Sequence, residues 1–370
     1  MTKSIKRSVA VKNETKNETK NETVASIGID LGDRSSEYVV FGTSGAPIER
    51  GKVATKSADL QSLLSRFPPT VVAIEVGTHS PWVSRLIEAA GHRAIVANGR
   101  KVALISGNKR KNNRIDADIL GRLARVDEQL LYPIRHRSEA AQRDLATLRA
   151  REAAVRGRTR LINHVRGASK AIGKQLSRCS AEAFAKRCLS ELPAVLTDAL
   201  GPIVKLIASL TQVIRAYDKE IEAMSERYPE AVKLLAVQGV GALTSMAYLL
   251  TLDDAARFRR SRSVGAFLGL IPGSDDTGDL HVQKRITREG DAFLRRLMVS
   301  SAQYIMGPFG KDCDLRRHGM AIAQRGGKNG KKRAVVAVAR KLAVLLHRLW
   351  ISEVAYDPLY IAKQLEQRAA

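Results

Sequence analysis

The chain has 370 residues and a formal charge of +25, with 62 Lys and Arg against 37 Asp and Glu. That length exceeds one ordinary hydrophobic core and predicts two or three domains. No run of about 18 uncharged apolar residues and no secretion leader can be read, so a membrane span and export are not expected.

Residues 1–23 hold Lys12-Asn13-Glu14-Thr15 and two further uninterrupted copies of that tetrapeptide. A polar repeat buries no apolar surface, so a disordered leader is expected. From residue 25 the pattern changes. Residues 25–30, 37–41 and 47–54 are short strand-like segments separated by Gly and Ser, as in an antiparallel meander. A helix over 58–67, a strand over 71–75, a helix over 80–90 and a strand over 93–97 follow. A meander leading into alternation predicts an α/β domain with a mixed sheet.

The middle of the chain is helical. Leu148, Val155 and Ile162 recur every seven residues, and Ile203, Ile207, Leu210, Ile214, Tyr217, Ile221 and Met224 alternate spacings of four and three. That pattern predicts a coiled-coil seam, or two helices folding back on one another within one chain. Cys179, Cys188 and Cys313 have no C-x-x-C spacing, which argues against a zinc site or disulfide framework and for a reducing cytoplasm. Beyond Pro229, Gly239-Val240-Gly241 opens a helix. It resembles the turn of helix-hairpin-helix DNA-binding units, with backbone amides available to phosphate, although a tight interhelical turn reads the same way.

Three constellations could carry chemistry. Asp30 ends the apolar run Ile27-Gly28-Ile29-Asp30, and Glu75 ends Val71-Val72-Ala73-Ile74-Glu75. Carboxylates at the C-terminal ends of strands, where α/β folds open their clefts, can hold hard divalent cations against phosphate. Asn113 and Asp116 stand three apart on one helical face, whereas Asp118 points away as a surface acid. Just upstream, Lys109, Arg110 and Lys111 bring positive charge where a nucleic-acid backbone would approach. A second group is the polar loop 269–279, whose Thr277 hydroxyl is a candidate nucleophile or a plain turn residue. It runs into the basic segment holding Lys284, Arg285 and Arg288. The third is the glycine-rich basic loop 326–333, in which Lys328, Lys331, Lys332 and Arg333 precede an apolar helix over 334–350.

Taken together, these segments resemble the insertion-sequence transposases with a RuvC-like DEDD domain and a catalytic serine, the family of the Piv DNA invertase and the bridge-RNA-guided recombinases. The resemblance spans residues 27 to 360. It is carried by Ile27-Gly28-Ile29-Asp30, Ala73-Ile74-Glu75-Val76-Gly77-Thr78 and Lys111-Asn112-Asn113-Arg114-Ile115-Asp116-Ala117. Gly239-Val240-Gly241, Gly269-Leu270-Ile271-Pro272, Ile286-Thr287-Arg288-Glu289-Gly290-Asp291 and Leu294-Arg295-Arg296-Leu297 add to it. The resemblance implies an α/β plus all-α chain: a leader over 1–24, an RNase H-like (RuvC-like) domain over 25–138 and a coiled-coil linker over 139–230. A helical transposase domain over 231–360 and a tail over 361–370 complete it. It further implies Mg²⁺ at Asp30, Glu75, Asn113 and Asp116, DNA and a structured guide RNA as partners, a homo-oligomer, and covalent linkage of DNA to the nucleophile.

Two positions depart from the family pattern. Asn113 stands where the family has Asp, removing one negative charge from the metal set. Thr277 precedes Gly278 where the family has Ser, giving a more hindered secondary alcohol with a stiffer χ1. The functions to weigh are therefore a transposase or recombinase, a nucleic-acid-binding relic without catalysis, and a hydrolytic, resolvase-like nuclease.

Overall fold

The computed structural model describes residues 22–102, 113–277, 280–327 and 329–369, with 275–277, 280–283 and 368–369 described in backbone alone. The leader repeat before residue 22, Lys109, Arg110, Lys111 and Lys328 lie outside the described residues. The chain divides into two compact units, Met1–His136 and Arg137–Ala370.

The first unit is a mixed five-stranded sheet. Its strands are β1 (Val24–Asp30), β2 (Ser35–Gly42), β3 (Pro47–Ala54), β4 (Val71–Glu75) and β5 (Arg93–Ala97), in spatial order β3-β2-β1-β4-β5. β1, β2 and β3 form an antiparallel meander, and β4 and β5 join parallel to β1. The predicted strands are all present, and the expected α/β class with an RNase H-like mixed sheet is the observed one. The apolar runs explain it: Ile27, Ile29, Val72 and Ile74 are fully buried, as central strands covered on both faces require. α1 (Ser57–Leu64) and α2 (Ser80–Ala89) carry the crossovers.

The other helix, α3 (Asn113–Val126), packs on β1, β2 and β4. It approaches β1 closely because glycine faces glycine. A Cβ on Gly28 would lie 2.1 Å from the Ala117 carbonyl oxygen, and one on Gly121 would lie 2.6 Å from the Phe41 ring. The Ser26 hydroxyl donates to the Gly121 carbonyl oxygen at 2.8 Å and fastens the crossing.

The second unit begins with a helical arm. α4 (Glu139–Ala171) and α6 (Ala194–Glu226), 33 residues each, pack against one another with α5 (Phe184–Glu191) near the tip. Their rungs run in opposite senses: Thr147 Oγ1 donates to Glu220, Arg151 pairs with Asp218, and Arg158 donates to Thr211. The heptad spacing is therefore satisfied by an antiparallel pair within one chain. Val204, Ile207, Ile214 and Ile221 are buried in its seam. α6 is also long and apolar enough to cross a membrane, judged by length and composition, yet only 22% of its most apolar stretch is buried. A second apolar row accounts for this: Ile203, Leu210 and Tyr217 are half-buried, and Leu206 and Val213 are 50% and 44% exposed.

At the base of the arm α7 (Pro229–Leu235), α8 (Ala242–Leu252), α9 (Ser263–Phe267), α10 (Ala292–Met306), α11 (Asp314–Gln324), α12 (Gly330–Ile351) and α13 (Tyr360–Ala369) follow. One core joins arm and helices, from Leu145 and Ile221 to Tyr248, Phe293 and Leu342. A two-stranded hairpin, β6 (Pro272–Thr277) and β7 (Leu280–Ile286), interrupts the helices.

The glycine crossing yields a stability test. Gly28→Ala must push α3 away from β1 and is expected to cost about 1–3 kcal/mol, the range for overpacking a filled interior. Gly77→Ala, where an added Cβ meets nothing within 4 Å, serves as the control and should change little. Urea denaturation of the two variants beside the parent checks the difference.

Candidate active-site cavity and nucleic-acid interface

In the first unit, β1 and β4 are parallel neighbours with Ile29 opposite Ile74. Asp30 and Glu75 therefore emerge side by side at the same edge of the sheet. Both line one cavity of about 280 Å³, closed by Leu31, Asp33 and the segment 76–79. Glu75 is lodged against the loop after β5, where a Cβ on Gly99 would fall 2.0 Å from its Oε1. The contacts of α3 run antiparallel to β1, with Ala117 over Gly28 and Gly121 bonded to Ser26. Its first turn, bearing exposed Asn113 and half-buried Asp116, consequently lies toward the end of β1 that carries Asp30. Neither Asn113 nor Asp116 lines the cavity itself.

Asp118 is engaged elsewhere, by Arg50 and by Arg122 one turn on. Burial raises its carboxyl, but the hydrogen bonds from those two arginines outweigh burial and hold it below the ordinary carboxylate range. Two further groups at the cavity, Asp33 and His79, were not singled out from the sequence. Trp82 donates its indole N–H to His79 Nδ1 at 3.1 Å, which leaves Nε2, 3.3 Å from Asp33, as the ring's proton-bearing nitrogen. The Thr78-His79 pair directly after Glu75-Val76-Gly77 was the available signal.

Among the described residues no three His, Cys, Asp or Glu side chains enclose a metal position. Two adjacent carboxylates nevertheless suit Mg²⁺, which commonly takes one or two carboxylates and completes its octahedron with water and phosphate oxygen. The donor set of Asp30 and Glu75 therefore fits that ion.

The second unit holds a larger cavity of about 1210 Å³, bounded by β6, β7, α11, α12 and the segment leading into α13. Of the sequence-predicted binding residues, Lys284, Arg285, Arg288, Lys332 and Arg333 line it, and Lys331 does not. Arg340, Lys341 and Arg348, farther along α12, add cations that were not singled out from the sequence. The helix begins at Gly330 rather than after the basic run. Lys331, Lys332 and Arg333 thus sit in its first turn, against the helix dipole, at about 0.3–1 kcal/mol each where exposed. Arg288 has a left-handed backbone (φ 58°), uncommon for a residue with a side chain. The close approach of Gly269 (φ 63°) to the Glu289 backbone and of Gly290 (φ 71°) to the Phe267 carbonyl oxygen fixes that turn. His318 is held below its ordinary pKa by burial and by Lys341 and Arg325, so at neutral pH it lines the cavity uncharged.

Thr277 closes β6 opposite Leu280, and its side chain lies outside what the structure describes. Residues 272–277 of the predicted polar loop are in fact a strand, paired with β7. Ser274, Asp275 and Asp276 show no apolar alternation, but the Gly-Asp step between Thr277 and Leu280 was a two-residue hairpin signal. Gly239 (φ 83°) packs on α10 near Ser301 and Tyr304, and exposed Gly241 caps α8. Both are apart from the basic cavity.

Two family models match in this order along the chain: a DEDD transposase model over residues 27–172, and the transposase IS116/IS110/IS902 family over residues 231–312. Together they span more than half of the chain. The chain is 27% identical to a transposase for insertion sequence element IS1111A from Coxiella burnetii, over 79% of this chain and 82% of that one. It is 27% identical to a transposase for insertion sequence element IS1328 from Yersinia enterocolitica, over 76% and 84%. A "Probable family 20 transposase" from Pseudomonas aeruginosa shares 26% identity over 82% and 90%.

The cations of α12 yield a salt test. The logarithm of affinity for nucleic acid falls with that of salt by roughly 0.7–0.9 per neutralised phosphate. Replacing Arg340 and Arg348 together by Gln is expected to flatten that slope by roughly one to two units, measured by fluorescence anisotropy across a salt series.

Proposed function

We propose that this chain, a member of the IS116/IS110/IS902 family of transposases with an N-terminal DEDD domain, cuts and rejoins DNA strands of a mobile insertion sequence through a covalent protein–DNA intermediate. The pairing of Asp30 and Glu75 on one cavity, inside the segment that matches the DEDD model, carries this reading. Asp30, Glu75 and Asp116 would hold Mg²⁺, with the side-chain carbonyl of Asn113 as a weakened fourth donor. The ion, when bound, supplies positive charge to the scissile phosphate.

The Thr277 hydroxyl is the proposed nucleophile. Its Oγ1 forms a bond to phosphorus as the bond from phosphorus to a strand oxygen breaks. The hydroxyl proton is given up and the departing oxygen gains one. A hydroxyl of another strand then attacks the same phosphorus and restores Thr277. One phosphoester replaces another at each step, so no external energy is needed. The cations around β7 and the start of α12 hold phosphate backbones, as do the amides near Gly239 and Gly241. A second basic run, Lys109 to Lys111, supports a further nucleic-acid partner, proposed to be a structured RNA that pairs with donor and target DNA. The outer apolar row of α6 supports a homo-oligomer. A binding protein without catalysis is the rival reading, favoured by Asn113 in place of an acid.

Strand cleavage is tested with end-labelled insertion-sequence DNA, RNA transcribed from the DNA flanking the gene, and Mg²⁺, resolved on denaturing gels. The expected product is a protein–DNA adduct, absent with Thr277→Ala, Asp30→Asn or EDTA. Thr277→Ser should increase it, by up to about a hundredfold if the extra methyl displaces the nucleophile by near 1 Å, and Asn113→Asp should strengthen Mg²⁺-dependent cleavage by restoring a charge to the metal set. Cut ends without an adduct would establish hydrolysis, binding without cutting would establish the relic, and an adduct persisting in Thr277→Ala would remove Thr277 from its role.

The oligomer has its own readout. Leu206→Glu with Val213→Glu places charge in the outer apolar row and is expected to convert the assembly to monomers in light scattering, with helical content unchanged. An unaltered mass would exclude that row as the contact.

A further inference from the structure

The large cavity of the second unit has a composition that backbone contact alone does not call for. Its floor is apolar: Leu270 and Leu315 are buried, and Ile286, Val336, Val344 and Leu345 are half-buried. Its rim is cationic, and among the described residues none of Arg285, Arg288, Lys332, Arg340, Lys341 and Arg348 is paired to a carboxylate. The two acids that line it are otherwise employed. Asp314 accepts from the backbone N–H groups of Ile361 and Ala362, and Asp357 accepts from that of Leu359 and pairs with Lys363. They therefore brace the start of α13 and leave the rim charge standing. That bracing presents Tyr360, 46% exposed, on the cavity wall, with half-buried Tyr356 and exposed Pro358 beside it.

We infer that this cavity is a groove for single-stranded nucleic acid, in which the rim cations follow the phosphates and Tyr360 stacks on an unpaired base. The inference rests on the nucleic-acid reading above and narrows it. A duplex turns its phosphates outward and hides the faces of its bases, so an apolar floor gains nothing from it. A single strand offers both surfaces at once, and proteins that bind one combine a basic track with aromatic platforms. The size also fits a polymer, since small-molecule sites are about 300–1,000 Å³. On α12 the groove face alternates in character: Arg333, then Val336 and Ala337, then Arg340 and Lys341, then Val344 and Leu345, then Arg348. From Arg333 to Arg348 the helix rises about 22 Å. A stacked strand advances about 3.4 Å per nucleotide, so the face spans roughly six nucleotides. The groove also holds the base of the β6–β7 hairpin through Pro272 and Lys284. Lys284 lies four residues from Leu280, the partner of Thr277, about 13 Å along the strand. A strand in this groove is thus gripped beside the hairpin that carries the proposed nucleophile.

The test uses the full chain without divalent metal, so that cleavage plays no part, and reads anisotropy of a labelled 20-nucleotide oligo-dT, an oligo-U of the same length and a 20-base-pair duplex. Tyr360→Ala is expected to weaken single-strand binding about 5- to 150-fold, the loss of one stacked base, with duplex binding within about twofold of the parent. Tyr360→Phe keeps the ring and should retain single-strand binding. An equal loss on strand and duplex, no loss on either, or the same loss with Phe as with Ala would overturn the inference. A parent chain that binds duplex while Tyr360→Ala leaves single-strand affinity unchanged sinks the groove and spares the transposase reading. A chain that binds no nucleic acid sinks both. Tighter binding of oligo-dT or of oligo-U assigns the occupant to DNA or to RNA, and similar affinities assign it to either.

Discussion

The close crossing of α3 over β1 is the constraint on which the first unit depends. With no side chain at Gly28 or Gly121, the helix backbone descends to the strand, and the Ser26 hydroxyl binds the carbonyl oxygen it meets there. A bulkier residue at either position would lift the helix and rotate its first turn, which bears Asn113 and Asp116. The sheet alone sets Asp30 and Glu75 beside one another, through the parallel pairing of β1 and β4. Asp33 follows from the loop after β1, whereas Asp116 is brought toward that edge by an element from outside the sheet, and the glycine contact fixes its height.

The cavity of the second unit is organised by cations that, among the described residues, have no carboxylate partner: Arg285, Arg288, Lys332, Arg340, Lys341 and Arg348. Where carboxylates occur near its cations, they are mostly committed. Asp291 caps α10 and pairs with Arg149, and Asp314 caps α13. Arg285, Arg340, Lys341 and Arg348 consequently remain available to solvent, and Lys331, Lys332 and Arg333 oppose the dipole of the helix that carries them. Such an arrangement is unfavourable in isolation and becomes favourable when phosphate arrives.

Much of the fold was legible in the chain. β1 and β4 are short apolar runs that end in an acid, and the period-two and period-3.6 patterns around them predict the sheet and its crossovers. Asp118 was also readable as a surface acid, from its helical offset to Asp116. Other features depend on contacts distant in sequence. Nothing local to Gly28 announces Gly121, 93 residues later. The β6 strand was read as a loop because Ser and Asp have poor strand propensity and its pairing with β7 is what makes it a strand. The heptads of α6 are compatible with a partner in the same chain or another, and the rungs to α4 decide for the same chain. Arg340, Lys341 and Arg348 look like ordinary surface charges until β7 and the start of α13 are folded across from them.

The helical arm has a mechanical consequence. At 1.5 Å per residue each of its long helices extends about 50 Å. Its tip has a small core of its own, formed by Ile162, Val165, Phe184, Leu200 and Val204, while the span between tip and base is tied by the polar rungs of Arg151 and Arg158. Such a spar is stiff along its axis and works as a lever across it. A swing of only about 10° at the base carries the tip through about 9 Å, several times the reach of a side-chain adjustment. Whatever is fastened to the tip can be moved a nucleotide or more by a deflection too small to disturb the core at the root.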